Sequence, residues 1–458
     1  MPSASSHESF STRAGFLLAA IGAAVGLGNL WKFPYMLGSN GGAAFVLVYL
    51  VAIVFIATPV MIGEMMIGKH GRMSAPASFE LIAKRVKASS AWKYVGWLGI
   101  FTLFLVLSFF SVIAGWSIAY VFKTASGAFS GLDTAAVGAQ FGDFVHRPMV
   151  LTAWHAVFMA FTVFTIARGV KGGIEKAIML MMPALFVMLV GLVIYGMFAG
   201  DFPQAISYLF RPDFSKITPE VALSAFGQAF FSVNVGVGAI LTYAAYLPKD
   251  TDIVRSSIVI AIGDTMVALL AGLMIFPIVF EYGLDPGEGP GLIFVTLSTA
   301  FGAMPGGSII GAIFFILVFF AALSSSLSML EVCVSRFSES ESISRPKAAI
   351  LAGITIFFVG FITLFSFNIM ENVRPLGFID RFSGMTPFDL LDFAITNVLM
   401  PVGAMLYAIF IGWFMTSDLA AEILQVENGA WLKFWKFLMR FVVPVGILAI
   451  FVSNLAAS

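Results

Sequence analysis

The sequence predicts an all-α, polytopic membrane protein with eleven transmembrane helices. Hydrophobic residues make up 60% of the 458 positions, charged residues only 11%, and phenylalanine alone occurs 49 times. A soluble protein of this length does not need so much apolar surface. Apolar runs recur from end to end, each long enough to cross a hydrocarbon layer of roughly 30 Å. The eleven runs cover residues 14–37, 43–68, 92–122, 150–167, 174–199, 220–247, 256–282, 308–334, 347–368, 388–415 and 434–455.

Basic residues predict the orientation of these spans. If the N-terminus is cytoplasmic, 18 of the 25 lysines and arginines fall on the cytoplasmic side. This bias follows the positive-inside rule, and an odd number of spans then places the C-terminus outside. The polar segment 1–12 leads into a long apolar helix, which does not fit a cleavable signal peptide. We therefore expect a multi-pass protein of the cytoplasmic (inner) membrane, surrounded by the lipid bilayer.

Composition also excludes several classes of protein. The formal net charge is zero and basic residues are spread over the loops, so nothing indicates binding to nucleic acid. The single cysteine, Cys333, cannot form an intramolecular disulfide and is read as a small packing residue. His7, His70, His146 and His155 fall in loops or near span ends, and no serine has a His/Asp pair in register. We therefore expect no enzymatic activity.

Two spans carry breaks at membrane depth. The first contains three glycines, an asparagine, a lysine and a proline between Gly22 and Pro34, and the sixth carries glycines beside polar side chains between Gly227 and Ile240. Either cluster alone fits close helix packing equally well. Because they lie five spans apart, together they favour two five-helix halves of inverted topology around a binding site. The halves cover 12–199 (helices 1–5) and 220–415 (helices 6–10), followed by the eleventh helix at 433–456, in a single domain 1–458.

The chemistry of the breaks favours a cation. An unwound segment leaves backbone carbonyls without partners, and each costs several kcal/mol in hydrocarbon. These carbonyls, with the side-chain oxygens of Asn29 and Ser232, are hard ligands suited to an alkali ion. The half-helix that begins after each break points its positive end at the cavity, where a carboxylate is stabilised. Ions and an anionic group can therefore share one site.

Several motifs resemble the neurotransmitter:sodium symporters, and most closely their bacterial eleven-helix amino-acid transporters. They follow in order along nearly the whole chain: Val25–Tyr35, Asn40–Phe45, Gly63-Glu64, Gln228–Gly238, Gly289–Ile293 and Ala321–Ser326. The resemblance implies a five-plus-five inverted repeat with discontinuous helices 1 and 6. It also implies alternating access and uptake of a small solute driven by two sodium ions, by a protein that functions as a monomer. A sensor of the same fold that binds without transporting remains an alternative.

The resemblance assigns two sodium sites. The first would be formed by the Ala24 carbonyl with Asn29, Ser232 and Asp264. The second would be formed by the carbonyls of Gly22, Val25 and Ala321 and the hydroxyls of Ser324 and Ser325. Taken alone, the two serines fit hydrogen bonds to their own helix backbone better.

Asp264 further predicts transport without chloride. An ionisable residue at bilayer depth suggests function. Chloride-dependent relatives have Asn at this position and bind an anion nearby, whereas Asp264, beside Tyr49, Gln228 and Ser232, supplies a fixed negative charge. Ala268, where those relatives place a chloride-binding serine, agrees. Protonation of Asp264 on the empty return step would make the protein a proton antiporter as well.

The predicted substrate pocket favours an amino acid. Amine-transporting relatives carry an aspartate where this chain has Gly26, so the solute should bring its own acid group. The pocket residues carried over are Ala24, Gly26, Leu27, Val106, Phe110, Phe231, Ser232, Asn234, Val237, Ser325, Ser328 and Met329.

Two pocket residues depart from the family. Phe110 replaces a tyrosine whose hydroxyl donates to the solute carboxylate, a bond worth roughly 1.5–3 kcal/mol. Asn234 adds an amide where relatives keep a small or apolar residue. The pocket therefore suits a polar, β- or ω-amino acid or a related zwitterion. An ordinary neutral amino acid, with a water replacing the hydroxyl, fits equally well, and a polar osmolyte or polyol is the alternative outside amino acids.

The gates and supports complete the prediction. Outside, Lys32 faces Asp392 but cannot fork two hydrogen bonds to a carboxylate as arginine does, so a weaker gate is expected. On the inner side, His7 is the aligned partner of Glu339, and Tyr246 is retained. Either His7 makes this gate sensitive to pH or it has no partner, and the sequence is compatible with both. Three residues have structural roles: Glu64, which binds backbone amides at the breaks, and Gly173 and Pro183, which bracket a segment of the fifth span that unwinds in some relatives.

Overall fold

The computed structural model describes residues 8–248, 250–286, 291–339 and 343–456, with side chains up to residue 453. Every regular element in these ranges is a helix. The helices are α1 (Arg13–Ala24), α2 (Gly28–Ser39), α3 (Ala43–Gly71), α4 (Ala75–Arg85), α5 (Ser90–Ala125), α6 (Thr134–Val145), α7 (Pro148–Ala167), α8 (Val170–Ala199), α9 (Phe202–Phe210), α10 (Pro219–Val233), α11 (Ala239–Ala245), α12 (Ile253–Glu281), α13 (Leu292–Ala303), α14 (Gly307–Ser338), α15 (Arg345–Ser366), α16 (Pro387–Phe414), α17 (Ser417–Leu424) and α18 (Ala430–Ser453).

The chain is a multi-pass membrane protein. Within the described ranges, nine helices are long and apolar enough to cross a membrane, and α1 with α2 form a bent pair that counts as a tenth. The nine are α3, α5, α7, α8, α12, α14, α15, α16 and α18. At the predicted sixth span, α10 and α11 together cover 219–245, but neither is long enough alone. The all-helical membrane fold is thus confirmed, while the count of eleven spans stays a prediction.

Both predicted breaks are present. α1 ends at Ala24, α2 begins at Gly28, and the two helices bend by 49°. α10 ends at Val233, and Asn234 then takes a left-handed conformation with φ 54°. Asn234 is one of the few residues other than glycine with positive φ in the described ranges, and its position closes the helix much as a glycine would.

The second break lies between two helix backbones. A Cβ added at Gly99 of α5 would lie 2.5 Å from the Val237 carbonyl oxygen. A Cβ at Gly403 of α16 would lie 2.5 Å from the Gly236 carbonyl oxygen. Glycine at these two positions lets α5 and α16 approach the unwound segment directly.

The remaining packing surrounds both breaks with helices. The most extensive helix pair is α5 with α14. The first broken helix packs against α12 and α14, and the second packs against α3. The breaks therefore lie in the interior of the bundle, out of contact with lipid.

The predicted pair in the fifth span lies in α8. Its first turns, Val170–Glu175, are π-helical and contain Gly173, where a Cβ would lie 1.9 Å from the Thr165 carbonyl oxygen. Pro183 lies inside the same helix and removes one backbone donor. Both features weaken the regular hydrogen-bond ladder of this segment.

Candidate functional site

A buried polar cluster joins the two broken helices. Asn29 of α2 donates from Nδ2 to Asp264 Oδ1 (2.8 Å) and to Ser232 Oγ (3.1 Å). Ser232 of α10 donates to Asp264 Oδ2 (2.6 Å). All three residues are at most 1% exposed. The Asp264 carboxylate of α12 therefore bonds to residues of both broken helices.

Tyr49 completes the cluster on one side, and Gln228 lies apart from the carboxylate. The Tyr49 hydroxyl is 3.2 Å from Ser232 Oγ and donates to Asp264 Oδ2 at 3.4 Å. Gln228 donates instead from Nε2 to the Gly28 carbonyl oxygen (3.1 Å). Of the predicted pair, Tyr49 thus contacts the Asp264 carboxylate and Gln228 contacts the backbone of α2.

The oxygen atoms of this cluster suit a hard cation, but the Asn29 side chain presents its amide nitrogen, not its oxygen, to the Asp264 carboxylate. Asn29 Oδ1 accepts the backbone N–H of Gly26 (3.2 Å), and its Nδ2 faces the carboxylate. An amide nitrogen cannot ligate a cation, so ligation by Asn29 requires the amide to rotate. Ala24, the last residue of α1, is buried beside this turn.

A second group of oxygens lies where α1 meets α14. Ser324 Oγ is 3.4 Å and Ser325 Oγ is 3.3 Å from the Val25 carbonyl oxygen. Ser325 Oγ is also 3.5 Å from the Gly22 carbonyl oxygen, and Ser324 Oγ donates to the Ala321 carbonyl oxygen at 2.9 Å. The bond within α14 is the short one, while the separations to α1 exceed the usual range for O–H···O bonds.

Glu64 bonds to the second break. It is fully buried in α3, and its Oε1 accepts the backbone N–H of Gly236 at 2.5 Å. Its Oε2 has no hydrogen-bond partner in the described ranges. The carboxylate therefore satisfies a backbone donor that the broken helix leaves without a partner.

Three of the predicted substrate residues, Gly26, Phe231 and Ser325, meet at the first break. Gly26 has no room for a side chain, since an added Cβ would lie 2.4 Å from Ser325 Oγ. The Phe231 ring lies over Gly28, with Cε1 3.1 Å from the position of an added Cβ. Asn234 is 7% exposed, and no hydrogen bond of its side chain occurs within the described part of the chain. Leu27, Val106, Phe110, Val237, Ser328 and Met329 are also buried.

The predicted outer gate takes a different form. The Lys32 ammonium lies 3.8 Å from the centroid of the Phe231 ring and forms no ion pair with Asp392. Asp392 accepts a hydrogen bond from Thr396 (3.2 Å). Both charged residues line one cavity of about 290 Å³. Lys32 and Asp392 therefore share a cavity, and the aromatic ring takes the place of the carboxylate as the partner of the cation.

On the opposite side, Tyr246 belongs to a charge cluster that the sequence did not predict. Its hydroxyl donates to Glu331 Oε1 (2.6 Å), and Arg345 bonds to Glu331 and lies 3.0 Å from Glu8. In the sequence, Glu331 indicates this cluster, because it is an acid inside the apolar run 308–334. Glu339 accepts hydrogen bonds from Ser74, and its predicted partner His7 lies outside the described residues.

The segment before α1 is bound to the start of α8 by two reciprocal hydrogen bonds. Ser11 donates its backbone N–H to Glu175 Oε2 (2.9 Å). Val170 donates its backbone N–H to Glu8 Oε2 (3.1 Å). Each carboxylate therefore caps the other segment's backbone, and the π-helical start of α8 is fixed to the N-terminal segment.

The expected place of His155 near a span end is wrong. His155 lies inside α7, fully buried, with Nε2 2.9 Å from Ser111 Oγ and its ring 4.6 Å from that of Phe357. In the described ranges no group of three or more His, Cys, Asp or Glu side chains is placed to hold a metal ion. His155 is a packed residue of the helix bundle.

A multi-pass helical bundle with buried polar residues at two helix breaks is the architecture of a secondary transporter. The model of the sodium:neurotransmitter symporter family matches residues 7–131 and 136–458. The chain belongs to this family.

Individual proteins agree with the family match. The chain is 39% identical to an uncharacterized sodium-dependent transporter, YhdH, of Bacillus subtilis (strain 168) over 447 residues, 97% of each chain. It is 32% identical to an uncharacterized sodium-dependent transporter of Haemophilus influenzae over 456 residues, 98% of each chain. Among solved structures, MhsT in complex with L-phenylalanine superposes with a TM-score of 0.88 at 40% identity, covering 98% of this chain and 99% of MhsT. The motif Gly289–Ile293 lies partly outside the described residues.

Proposed function

We propose that this protein imports a small zwitterionic solute, an amino acid or a similar compound, together with sodium ions by alternating access. The observation that carries the proposal is the cluster of Asn29, Ser232 and Asp264, which joins both broken helices in the interior of the bundle. A relative of 40% identity binds L-phenylalanine, which supports an amino acid as the solute.

The first sodium ion would bind at this cluster. Asp264 supplies charge, Ser232 a hydroxyl, Asn29 an amide oxygen after rotation, and Ala24 a backbone carbonyl. Because Ser232 and Asp264 lie on different helices, the ion would replace their hydrogen bond and hold α10 to α12. Oxygen ligands of this kind suit an alkali ion.

The second sodium ion would bind between α1 and α14. The carbonyls of Gly22, Val25 and Ala321 and the hydroxyls of Ser324 and Ser325 converge there. Separations of 3.3 to 3.5 Å between the serine hydroxyls and the α1 carbonyls are long for hydrogen bonds and leave space for a shared ion. Such an ion would bind the first broken helix to the rest of the bundle.

Transport would not need chloride. Asp264, with the Tyr49 hydroxyl at 3.4 Å, would supply one negative charge beside the proposed first sodium ion. A bound anion there would add a second negative charge in a low-dielectric interior, which is strongly unfavourable. When the sodium ion leaves, protonation of Asp264 would neutralise the buried charge and couple return to proton counter-transport.

The solute would bind beside Gly26 and Phe231, with Phe110 and Asn234 as further contacts. The backbone at Gly26 has no acidic side chain to bind an amine and no room for one. Asn234 is buried, and its amide is free to bind the solute. A polar solute that is not an amino acid is the second candidate, because Phe110 lacks the hydroxyl that would bind a carboxylate.

The topology and gates follow from the same proposal. The N-terminus would be cytoplasmic in the inner membrane, and the protein would work as a monomer. Lys32 and Phe231 would close the outer side, and Tyr246, Glu331 and Arg345 the inner side. The π-helical start of α8, with Gly173, would unwind to release the second sodium ion.

Uptake into proteoliposomes tests the transport proposal. A radiolabelled amino acid should accumulate with an inward sodium gradient and not with potassium. An enzyme would show no accumulation, and a channel no dependence on the gradient. A sensor would bind without uptake, which a thermal-shift screen of amino acids, β-amino acids, osmolytes and polyols with and without sodium would detect, because a ligand stabilises the state that it binds.

A further inference from the structure

An apolar groove lies on the perimeter of the helix bundle, between α3, α12 and α18. Its volume is about 690 Å³. Residues that line it include Ile53 and Ile62 of α3, Ala261 and Thr265 of α12, and Trp431 and Leu438 of α18. The groove is separate from the polar cluster, which lies on the inner side of α12.

The groove continues into a charged cavity at the start of α12. This second cavity has a volume of about 600 Å³ and is lined by Asp252 and Arg255. Val254, Ile258 and Trp431 line both cavities. A tryptophan therefore marks the transition from apolar to charged lining, as it does at the edge of the hydrocarbon layer.

Arg255 is the basic residue that lines this cavity. In the described ranges no carboxylate lies within 4 Å of its guanidinium. Asp252 accepts the backbone N–H of Arg255 (2.9 Å), and Lys69 lies close to Asp252, with its ammonium on the Thr251 carbonyl oxygen (2.7 Å). Asp252 is thus occupied by a backbone N–H and lies close to Lys69, whereas the Arg255 guanidinium remains available to an anion at the charged end of the groove.

The length of the groove matches one leaflet of a bilayer. Helix α12 lines it from Val254 to Leu269, which corresponds to about 22 Å at about 1.5 Å per residue. Half of a hydrocarbon core of about 30 Å together with one head-group layer of about 5–7 Å is nearly the same length. The groove therefore runs from head-group depth to the middle of the membrane.

We propose that this groove binds one anionic phospholipid from the leaflet at which α12 begins. The lipid phosphate would pair with the Arg255 guanidinium, whose planar fork binds two phosphate oxygens at once. One acyl chain would fill the apolar groove past Trp431 towards Leu269. A lipid of net charge −1 complements the Arg255 guanidinium, whereas a zwitterionic lipid brings its ammonium close to the same arginine.

The bound lipid would pack against the back of the polar cluster. Thr265 lines the groove and directly follows Asp264, which faces the interior. The lipid would thereby stabilise the segment of α12 that positions the carboxylate. This inference concerns lipid binding only and does not depend on which solute is transported.

Native mass spectrometry of the detergent-purified protein tests the proposal. The probes are phosphatidylglycerol and phosphatidylcholine with identical acyl chains. We expect one phosphatidylglycerol to remain bound under conditions that remove phosphatidylcholine. Arg255→Gln should weaken phosphatidylglycerol binding about tenfold, which corresponds to the loss of one charge-assisted contact.

Two further variants make the outcome decisive. Lys433→Gln removes an exposed cation of α18 that does not line the groove, and it should leave binding unchanged. Ile262→Trp fills the groove from a residue that is 58% exposed and should displace the lipid without disturbing the core. Equal binding of the two lipids, an equal effect of Lys433→Gln and Arg255→Gln, or undiminished binding to Ile262→Trp would each overturn the proposal.

Discussion

The hydroxyl of Ser232 donates a 2.6 Å hydrogen bond to the carboxylate of Asp264, thirty-two positions later in the chain. Because Asn29 donates to the other carboxylate oxygen, one aspartate holds the two broken helices together. The carboxylate thus has a defined geometry set by the protein's own donors.

Replacement of Asp264 by asparagine should make transport depend on chloride. The substitution removes the fixed negative charge beside the first proposed sodium position but keeps the shape of the side chain. Uptake by Asp264→Asn should be much slower in sodium gluconate than in sodium chloride, while the wild type should be equal in both. Glu371→Gln, an acid in an exposed loop, is the control. Equal uptake by Asp264→Asn in both salts would reject chloride independence through Asp264.

Restoring a tyrosine at position 110 tests whether the solute brings a carboxylate. If it does, the new hydroxyl of Phe110→Tyr should add a charge-assisted hydrogen bond and tighten binding about 10- to 100-fold. Isothermal calorimetry with sodium present would measure this change. Weaker or unchanged binding would favour a solute without a carboxylate, and Phe109→Tyr, on the adjacent position of α5, controls for an added hydroxyl.

Arg345 and Glu331 should be strongly coupled in stability. Glu331 is fully buried, so Arg345→Met leaves a buried charge without its partner and should destabilise the protein by about 3–5 kcal/mol. Adding Glu331→Gln should restore much of the lost stability, since it removes the buried charge that has no partner. A double-mutant cycle on thermal unfolding measures the coupling. Simple additivity of the two single changes would contradict the observed ion pair.

Gly236→Ala should destabilise the protein more than Gly238→Ala. Both glycines have positive φ, 87° and 85°, so alanine costs roughly 1–2 kcal/mol of backbone strain at either position. At Gly236 the new Cβ would also lie 2.6 Å from Ala404 Cβ, whereas at Gly238 the nearest atom is the Tyr407 hydroxyl oxygen at 3.1 Å. Melting temperatures of the two variants should therefore differ, and identical values would show that the contact with α16 is unimportant.

The pair of His146 and Glu371, which lies outside the membrane-spanning helices, predicts a small dependence of protein stability on pH. The hydrogen bond to the Gly142 carbonyl, and then that to Glu371, raise the pKa of His146 above its usual 6.5. Because the folded pKa is raised, the pair stabilises the protein fully below pH 6.5, and this contribution is lost as the pH rises through the higher folded pKa. Both side chains are about half exposed, so the effect is small.

The Glu371→Gln variant separates this effect from others. The melting temperature of the wild type should fall more between pH 6 and pH 8 than that of the variant. Parallel curves for the two proteins would show that the pair contributes nothing.

Local signals in the sequence are sufficient to predict where the helices break. Glycines and a proline between Gly22 and Pro34 predicted the interruption, which falls between Ala24 and Gly28. Here the backbone geometry depends on the residues at the break itself. Short connecting helices such as α6 were not predicted, because twelve residues capped by Asp133 resemble a polar loop when only apolar runs are counted.

Contacts between distant residues were harder to predict. The sequence predicts that Lys32 faces Asp392, whereas its ammonium lies over the Phe231 ring. The choice between a ring and a carboxylate depends on the shape of the cavity, which the residue types do not specify. The ion pair of Glu331 and Arg345 depends on how α14 and α15 pack, which residue types alone do not specify.

Gly99 and Gly403 give the site a constraint that no ligand contact reveals. The backbone of Gly99 lies against the Val237 carbonyl, and the backbone of Gly403 lies against the Gly236 carbonyl. Neither glycine has a side chain that would separate its helix from the unwound segment. Any larger residue at position 99 or 403 would displace the unwound segment from outside. Solute selectivity could thus change through substitutions that never meet the solute, and relatives that differ at these two positions should have a second break of different shape.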